Sequence, residues 1–263
     1  MVIALTGVLA AVVGRFIVQP VRGYLDTRER AALVDEAAAA LQRMARELRS
    51  ALPNSARVAA SGKALEFVPV TAVGRYATEG SGRLDFTTAD TSFAVLGPAL
   101  AVQAGQWLVF YNLGTGVVGS DAYAAIGSAG AEASANRRSV SGAGGSLSTV
   151  TLDSLAALPS AAFAPPYRVH VVNAPVTFRC DTAAGTLVRT TGYGFNATQV
   201  EAPSGGSSTV LATGVTDCAF SYDSGLATTR AALAGLRLTL SRTTTAGAES
   251  ITLHHAVHVD NLP

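Results

Sequence analysis

His254 and His258 stand four residues apart, so on an extended strand both point to the same side. Two imidazoles on one face can begin a metal site, but a closed site takes more ligands. Asp260 shares their parity, and no cysteine or other acidic residue is spaced locally to join them. With His170 and His255, the other two histidines, they read as surface or sheet-packing residues, and no metal is expected. GTGVVG at residues 114–119 fits the spelling G-x-G-x-x-G and follows the apolar run WLVFYN. A dinucleotide loop must open a helix whose N-terminus faces the pyrophosphate. The residues that follow, SDAYAAIGSAGAE, are short and broken by glycine, and Glu132 has no second strand before it. The hexapeptide therefore reads as a strand-to-loop turn. No G-x-S-x-G elbow occurs among the many serines, and no carboxylate pair suits acid–base work. The chain is expected not to be an enzyme, with no cofactor and no small-molecule substrate.

Cys180 and Cys218 are the only cysteines, and by themselves they fit either a disulfide or two free thiols. The net charge is +1 without a long basic run, so the footprint of a nucleic-acid binder is missing. Charged residues make up only 14% of the 263, which implies that neighbours, lipid or Ser, Thr and Gly cover part of the surface. Asn196-Ala-Thr198 spells a glycosylation sequon and is read as incidental.

The elements that would position such groups start with an apolar run, MVIALTGVLAAVV, closed by Gly14 and Arg15. It reaches about 20 Å as a helix, against about 30 Å for a bilayer core. A cleaved signal peptide would carry a basic stretch ahead of it and a small-residue cut site behind it, and neither is present. A buried core helix is one alternative. The other is a longer apolar helix whose first residues precede Met1. From Tyr24 the pattern turns amphipathic: Val34, Ala37, Ala38, Leu41, Met44, Ala45, Leu48 and Leu52 recur at helical spacing. Pro20 should bend or interrupt this helix, and Pro53 with Asn54 should end it.

Beyond Pro53 the chain reads as strands and turns. Strands are expected at residues 64–70, 107–112, 167–172, 176–180, 186–191, 215–222, 235–242 and 250–259. In the last pair, Leu236, Leu238 and Leu240 share one face, as do Ile251, Leu253, His255, Val257 and Val259. TTTAGAE, residues 243–249, should be their hairpin loop. Residues 127–148, which include Asn136, Arg137 and Arg138, read as a flexible connector or a contact surface, and residues 202–209 as a hairpin tip.

The apolar-then-amphipathic N-terminus, above all YLDTRERAALVDEAAAALQRMARELRSALPNSARV, resembles type IV pilins and pseudopilins. The match is closest to the pilin-like biogenesis proteins of the mannose-sensitive haemagglutinin pilus. EFVPV, GRYAT, YNLGTG, DAYA and the closing LHHAVHVDNLP extend the resemblance through the body. The family's peptidase-site block, GFTLIE, is not in this sequence, so cleavage and methylation attach to no residue here. The resemblance implies an α+β, type IV pilin-like fold, a long N-terminal helix packed on an antiparallel β-sheet domain. It implies residues 1–24 embedded in the bacterial inner membrane, residues 25–53 as the amphipathic half, and residues 54–263 as a periplasmic β-rich domain. In that oxidising space Cys180 and Cys218 would be bonded. The implied work is pilus assembly, as an initiation or tip component. The implied partners are other minor pilins, the major pilin, the inner membrane and the assembly platform. Gly7, Ala10, Ala11 and Gly14 offer small side chains for close helix approach, with Arg15 and Pro20 beyond them. A minor pseudopilin of type II secretion and a pilus-tip adhesin are the alternatives.

Overall fold

The computed structural model describes residues 2–223, 231–244 and 247–263. It opens with α1 (Val2–Leu48), a helix of 47 residues. The chain then forms β1 (Arg57–Val58), β2 (Ala64–Phe67), β3 (Val70–Tyr76), β4 (Ser92–Leu96), β5 (Leu100–Val102) and β6 (Trp107–Phe110). The four-residue α2 (Ala129–Glu132) precedes β7 (Arg137–Ser139), β8 (Gly145–Leu147) and β9 (Thr149–Thr151). After a short 3-10 turn come β10 (Arg168–Val172), β11 (Val176–Asp181), β12 (Thr186–Thr191) and β13 (Ser207–Thr213). The last strands are β14 (Val215–Asp223), β15 (Ala231–Thr244) and β16 (Gly247–Asp260).

All described strand pairs are antiparallel. One sheet runs β1-β2-β11-β12-β13, a second β7-β6-β10-β3-β4-β9, a third β14-β15-β16, and β5 pairs with β8. Two main cores result. The first lies between α1, the five-stranded sheet and the three-stranded sheet, and contains Leu33, Leu41, Met44, Phe67, Phe178 and Leu238. The second is aromatic: Tyr76 meets Phe93 and Phe110 edge to face, with ring centroids 6.4 and 5.7 Å apart. A smaller cluster around Leu52, Val109 and Tyr123 joins them.

The expected class is corrected by this architecture. Strand makes up 40% of the chain and helix 19%, and the body is a curled antiparallel arrangement of several sheets. It is not an α+β, pilin-like pairing of one helix with one sheet. The physical reason lies in the short strands β4, β5, β7, β8 and β9. None is long enough to show a period-two pattern, yet together they complete a core that α1 never touches.

The single-pass inner-membrane placement is corrected as well. Among the described residues no helix is long and apolar enough to cross a membrane. The apolar stretch ends at Arg15 after about 20 Å, well short of a bilayer core. The backbone is helical at Pro20, with no break between Val2 and Leu48, so the expected interruption does not occur; the ring of Pro20 lies outside the described residues. The helix stops at Leu48, five residues ahead of Pro53.

Cys180 on β11 and Cys218 on β14 are joined by a disulfide, with 6.3 Å between their Cα atoms. It ties the five-stranded sheet to the three-stranded one inside the first core, and closing such a loop stabilises a fold by about 4 kcal/mol in the chain-entropy model.

His170 sits mid-strand on β10, between Val73 of β3 and Val109 of β6, and its Nδ1 is buried without a partner. Burial, helped by the positive charge of Arg168, lowers its pKa to about 4. Above about pH 6.5 the imidazole is neutral in both the folded and unfolded chains and costs nothing. Between pH 6.5 and 4 the unfolded chain takes up a proton that the fold refuses, so stability falls as pH falls, by roughly 3 kcal/mol in all. Denaturant unfolding at pH 7.5 and 4.5 should show this loss, and His170→Leu should remove most of the slope across that window.

Candidate assembly surface

α1 divides into two parts by what its side chains touch. Leu33, Ala37, Ala40, Leu41, Met44 and Leu48 are buried and form the stripe that meets the body. That stripe is rotated from the expected one: Leu33 and Ala40 join it, Val34 is exposed and Ala38 half-buried. The small alanines let the helix lie close against β15 and β16, which carry most of its contacts.

Before Leu33 every described side chain is exposed, Gly14 alone being half-buried. Ile3 is 88% exposed and Phe16 77%. Val2, Leu5, Leu9, Val12, Val13, Val21 and Tyr24 are also open. From residue 2 to 28 this free arm is about 40 Å long. Its apolar residues circle the helix, a pattern usual for helices that are covered on all sides. A Cβ added at Gly7, Gly14 or Gly23 would meet nothing within 4 Å. Ala10 and Ala11 are exposed beside them, and Arg15 is exposed, with no ion pair among the described residues. The sequence-predicted residues Gly7, Ala10, Ala11, Gly14 and Arg15 therefore lie together on one unpartnered arm.

Where the arm enters the body a collar of charges fixes it. Arg242 reaches Glu36 at 2.9 Å and Glu29 at 3.5 Å, and Arg30 meets Glu249 at 3.5 Å. Glu36 also accepts from the Thr213 amide at 2.7 Å and the Thr213 hydroxyl at 2.9 Å. Burial pushes the Glu36 carboxyl up, but those hydrogen bonds and Arg242 outweigh it and hold the group below the usual carboxylate range. Further along, Arg189 donates to both oxygens of Glu47, at 3.0 and 2.8 Å. These partners are more than 140 residues apart in sequence, so no local pattern could have paired them.

The other sequence candidates resolve into structure. His254 and His258 lie on the exposed outer face of β16, while His255 is half-buried with the inner row. No group of three His, Cys, Asp or Glu side chains among the described residues can hold a metal. The 114–119 turn is closed on itself. The amides of Leu113 and Gly114 donate to the Ser120 carbonyl, and the Gly119 amide donates to Ser134. The Gly116 amide donates to Asp121 Oδ2 at 2.8 Å, so the chain's own carboxylate fills the place a phosphate would need. Gly119 has φ +76° and sits against Pro159, where a Cβ would come within 2.8 Å, which is why glycine is required there.

Residues 127–148 are not a loose connector. Arg138 is fully buried on β7, and its guanidinium donates to the carbonyls of Ala135, Arg137, Glu132, Ala156 and Ala157. Glu132 stands 3.4 Å from it and accepts from the Leu155 amide. Burial lowers the pKa of Arg138, and that of Arg137 to about 10, with Asp121 partly restoring the latter. Residues 202–206 form the tip between β12 and β13, as expected, and Ser207–Thr213 is strand. The loop after β12 carries Phe195, whose ring lies under the Arg137 guanidinium at 3.6 Å and beside Trp107 at 5.1 Å. Arg57 stacks on Tyr123 at 3.6 Å, pairs with the buried Glu66, and donates to the carbonyls of Asn196 and Ala197. These are structural clamps between sheets: Arg57 is paired and hydrogen-bonded, and Arg137 donates to the carbonyls of Ala122 and Ala124 while its Nε is buried without a partner.

Compared with protein-family models, with curated proteins and with solved structures, the chain matches none.

Proposed function

We propose that this chain is a minor subunit of a type IV pilus of the mannose-sensitive haemagglutinin type, working in assembly through protein–protein contact. The observation that carries the reading is the free arm of α1, whose described large apolar side chains are exposed. Monomers rarely leave more than a few hundred Å² of continuous apolar surface open. An arm of this kind is covered by other helices in a working assembly. The small residues at 7, 10, 11 and 14 admit a neighbour closely, and the charge collar holds the arm at a set angle to the body. The sequence resemblance in residues 24–58 supplies the identity of the assembly. Other minor pilins and the major pilin are the partners this reading names.

Gly7→Leu with Gly14→Leu tests it. Neither added side chain meets anything in the chain, so the body should keep its thermal midpoint. The expected result is at least a tenfold fall in co-purified pilus subunits and in pili per cell, in a strain without the wild-type copy. Unchanged recovery and piliation would overturn the proposal. Recovery of secretion-system subunits in place of pilus subunits would assign the chain to the related pseudopilins.

A further inference from the structure

Among the described residues β16 is the edge of the three-stranded sheet, and no strand pairs with its outer side. It pairs with β15 over fourteen consecutive positions, from Ala231↔Asp260 to Thr244↔Gly247, without a register shift. Among the described residues, no backbone hydrogen bond reaches residues 248–260 from any element but β15. Exposed edges are normally blunted by lysine, proline, a bulge or a short length. GAESITLHHAVHVD has no lysine and no proline, no bulge interrupts it, and the strand is far longer than the usual five or six residues.

The side chains next to this edge are also incompletely covered. Ile251, Leu253 and His255 face the first core yet stay half-exposed, although Val257 and Val259 further along are buried. An added strand would shield the first three as well as satisfy the open amides and carbonyls.

We infer that β16 is a pairing edge for a second copy of this chain, joined antiparallel across a two-fold axis at His255. The strand's own sequence selects that occupant and register. In an antiparallel pair, directly opposed residues share a face, so only alignments that keep inner opposite inner are allowed. An axis at His255 sets Leu253 opposite Val257 and Ile251 opposite Val259 on the inner face, and Thr252 opposite His258 on the outer. Moving the axis to His254 would put Glu249 against Val259 and Leu253 against His255. Moving it to Leu253 would set Val259 opposite Gly247, which has no side chain, and Val257 opposite Glu249. The register at His255 is the one among these that matches every aliphatic residue with another.

This pairing is independent of the assembly reading above. Arg30 lies beside Glu249, and Asn54 bonds Asn261, so α1 and β16 run the same way. The two copies' helices therefore run in opposite directions, and the two arms leave the pair at opposite ends.

Cysteine pairing in the full-length chain tests the register. Thr252 and His258 are exposed, so T252C and H258C should not disturb folding. In the inferred pair these positions face one another within disulfide reach. Residue 252 of each copy lies six positions, roughly 20 Å, from its own equivalent. Co-expressed T252C and H258C chains should give at least tenfold more intermolecular disulfide than either alone, mapped by mass spectrometry apart from the Cys180–Cys218 bond. Equal yields from all combinations would mean association without this edge, and no mixed product would mean no pairing. Either result overturns the inference.

Discussion

A chain lacking residues 1–24 is expected to go no further than the β16-paired dimer at concentrations where the full chain forms larger assemblies, with its unfolding free energy changed by less than about 0.5 kcal/mol. Among the described side chains of α1 the first that is buried is Leu33, so none of those removed is one the body rests on. What is removed is the apolar arm, from Ile3 to Val21. Burying one large apolar side chain is worth about 1.5–3 kcal/mol, so even two of them in an intermolecular contact exceed a hundredfold in association constant. Sedimentation velocity on both forms, beside urea unfolding, measures the two halves of this expectation. A truncated chain that unfolds would mean that the arm supports the body. A full chain that goes no further than a dimer at high concentration would mean that the arm does not associate.

The second large effect belongs to Glu66. Its side chain is 1% exposed and pairs with Arg57, itself stacked on Tyr123. Glu66 also accepts from the Tyr193 hydroxyl at 2.8 Å, which Thr177 meets at 2.7 Å. Removing one partner of a buried pair leaves the other charge uncompensated and costs about 3–5 kcal/mol. Glu66→Ala should lose that much in denaturant unfolding. Arg57→Met combined with Glu66→Leu should recover most of it, because a well-packed apolar pair replaces an ionic one at little cost. A loss below about 1 kcal/mol for the single variant would show that water reaches the site.

The readable parts of this chain were those whose neighbours in sequence are also neighbours in space. Residues 186–191 were expected as a strand and are β12. Alternation along residues 235–242 placed Leu236, Leu238 and Leu240 on the buried face, where they lie. The expected 243–249 loop is shorter than its Thr and Gly content suggests: Thr243 pairs with Ala248 and Thr244 with Gly247, and residues 245–246 lie outside the described residues. Regions whose partners are distant were misread. The glycine and serine of residues 127–148 hid Arg138, because a buried arginine held by five carbonyls has no sequence signature. The fold class failed for the same reason. Tyr76, Phe93 and Phe110 come from three short strands, and only tertiary pairing makes them one core. On the candidate surface the apolar arm and its small residues were legible, since they need no partner within the chain. The collar of Glu36, Arg242 and Thr213 was not, since it exists only once β13 and β15 are folded against α1.

In the cell, on this reading, the arm of α1 is covered by other subunits. A photo-crosslinking amino acid at Leu9, which is 56% exposed on the arm, addresses it directly. The same probe at Leu155, exposed on the body, serves as the control. Adducts from position 9 to other pilus subunits, through their apolar helices, are expected at several times the yield from position 155. Adducts from position 9 only to the chain's own body, or none to any protein while pili form normally, would contradict it.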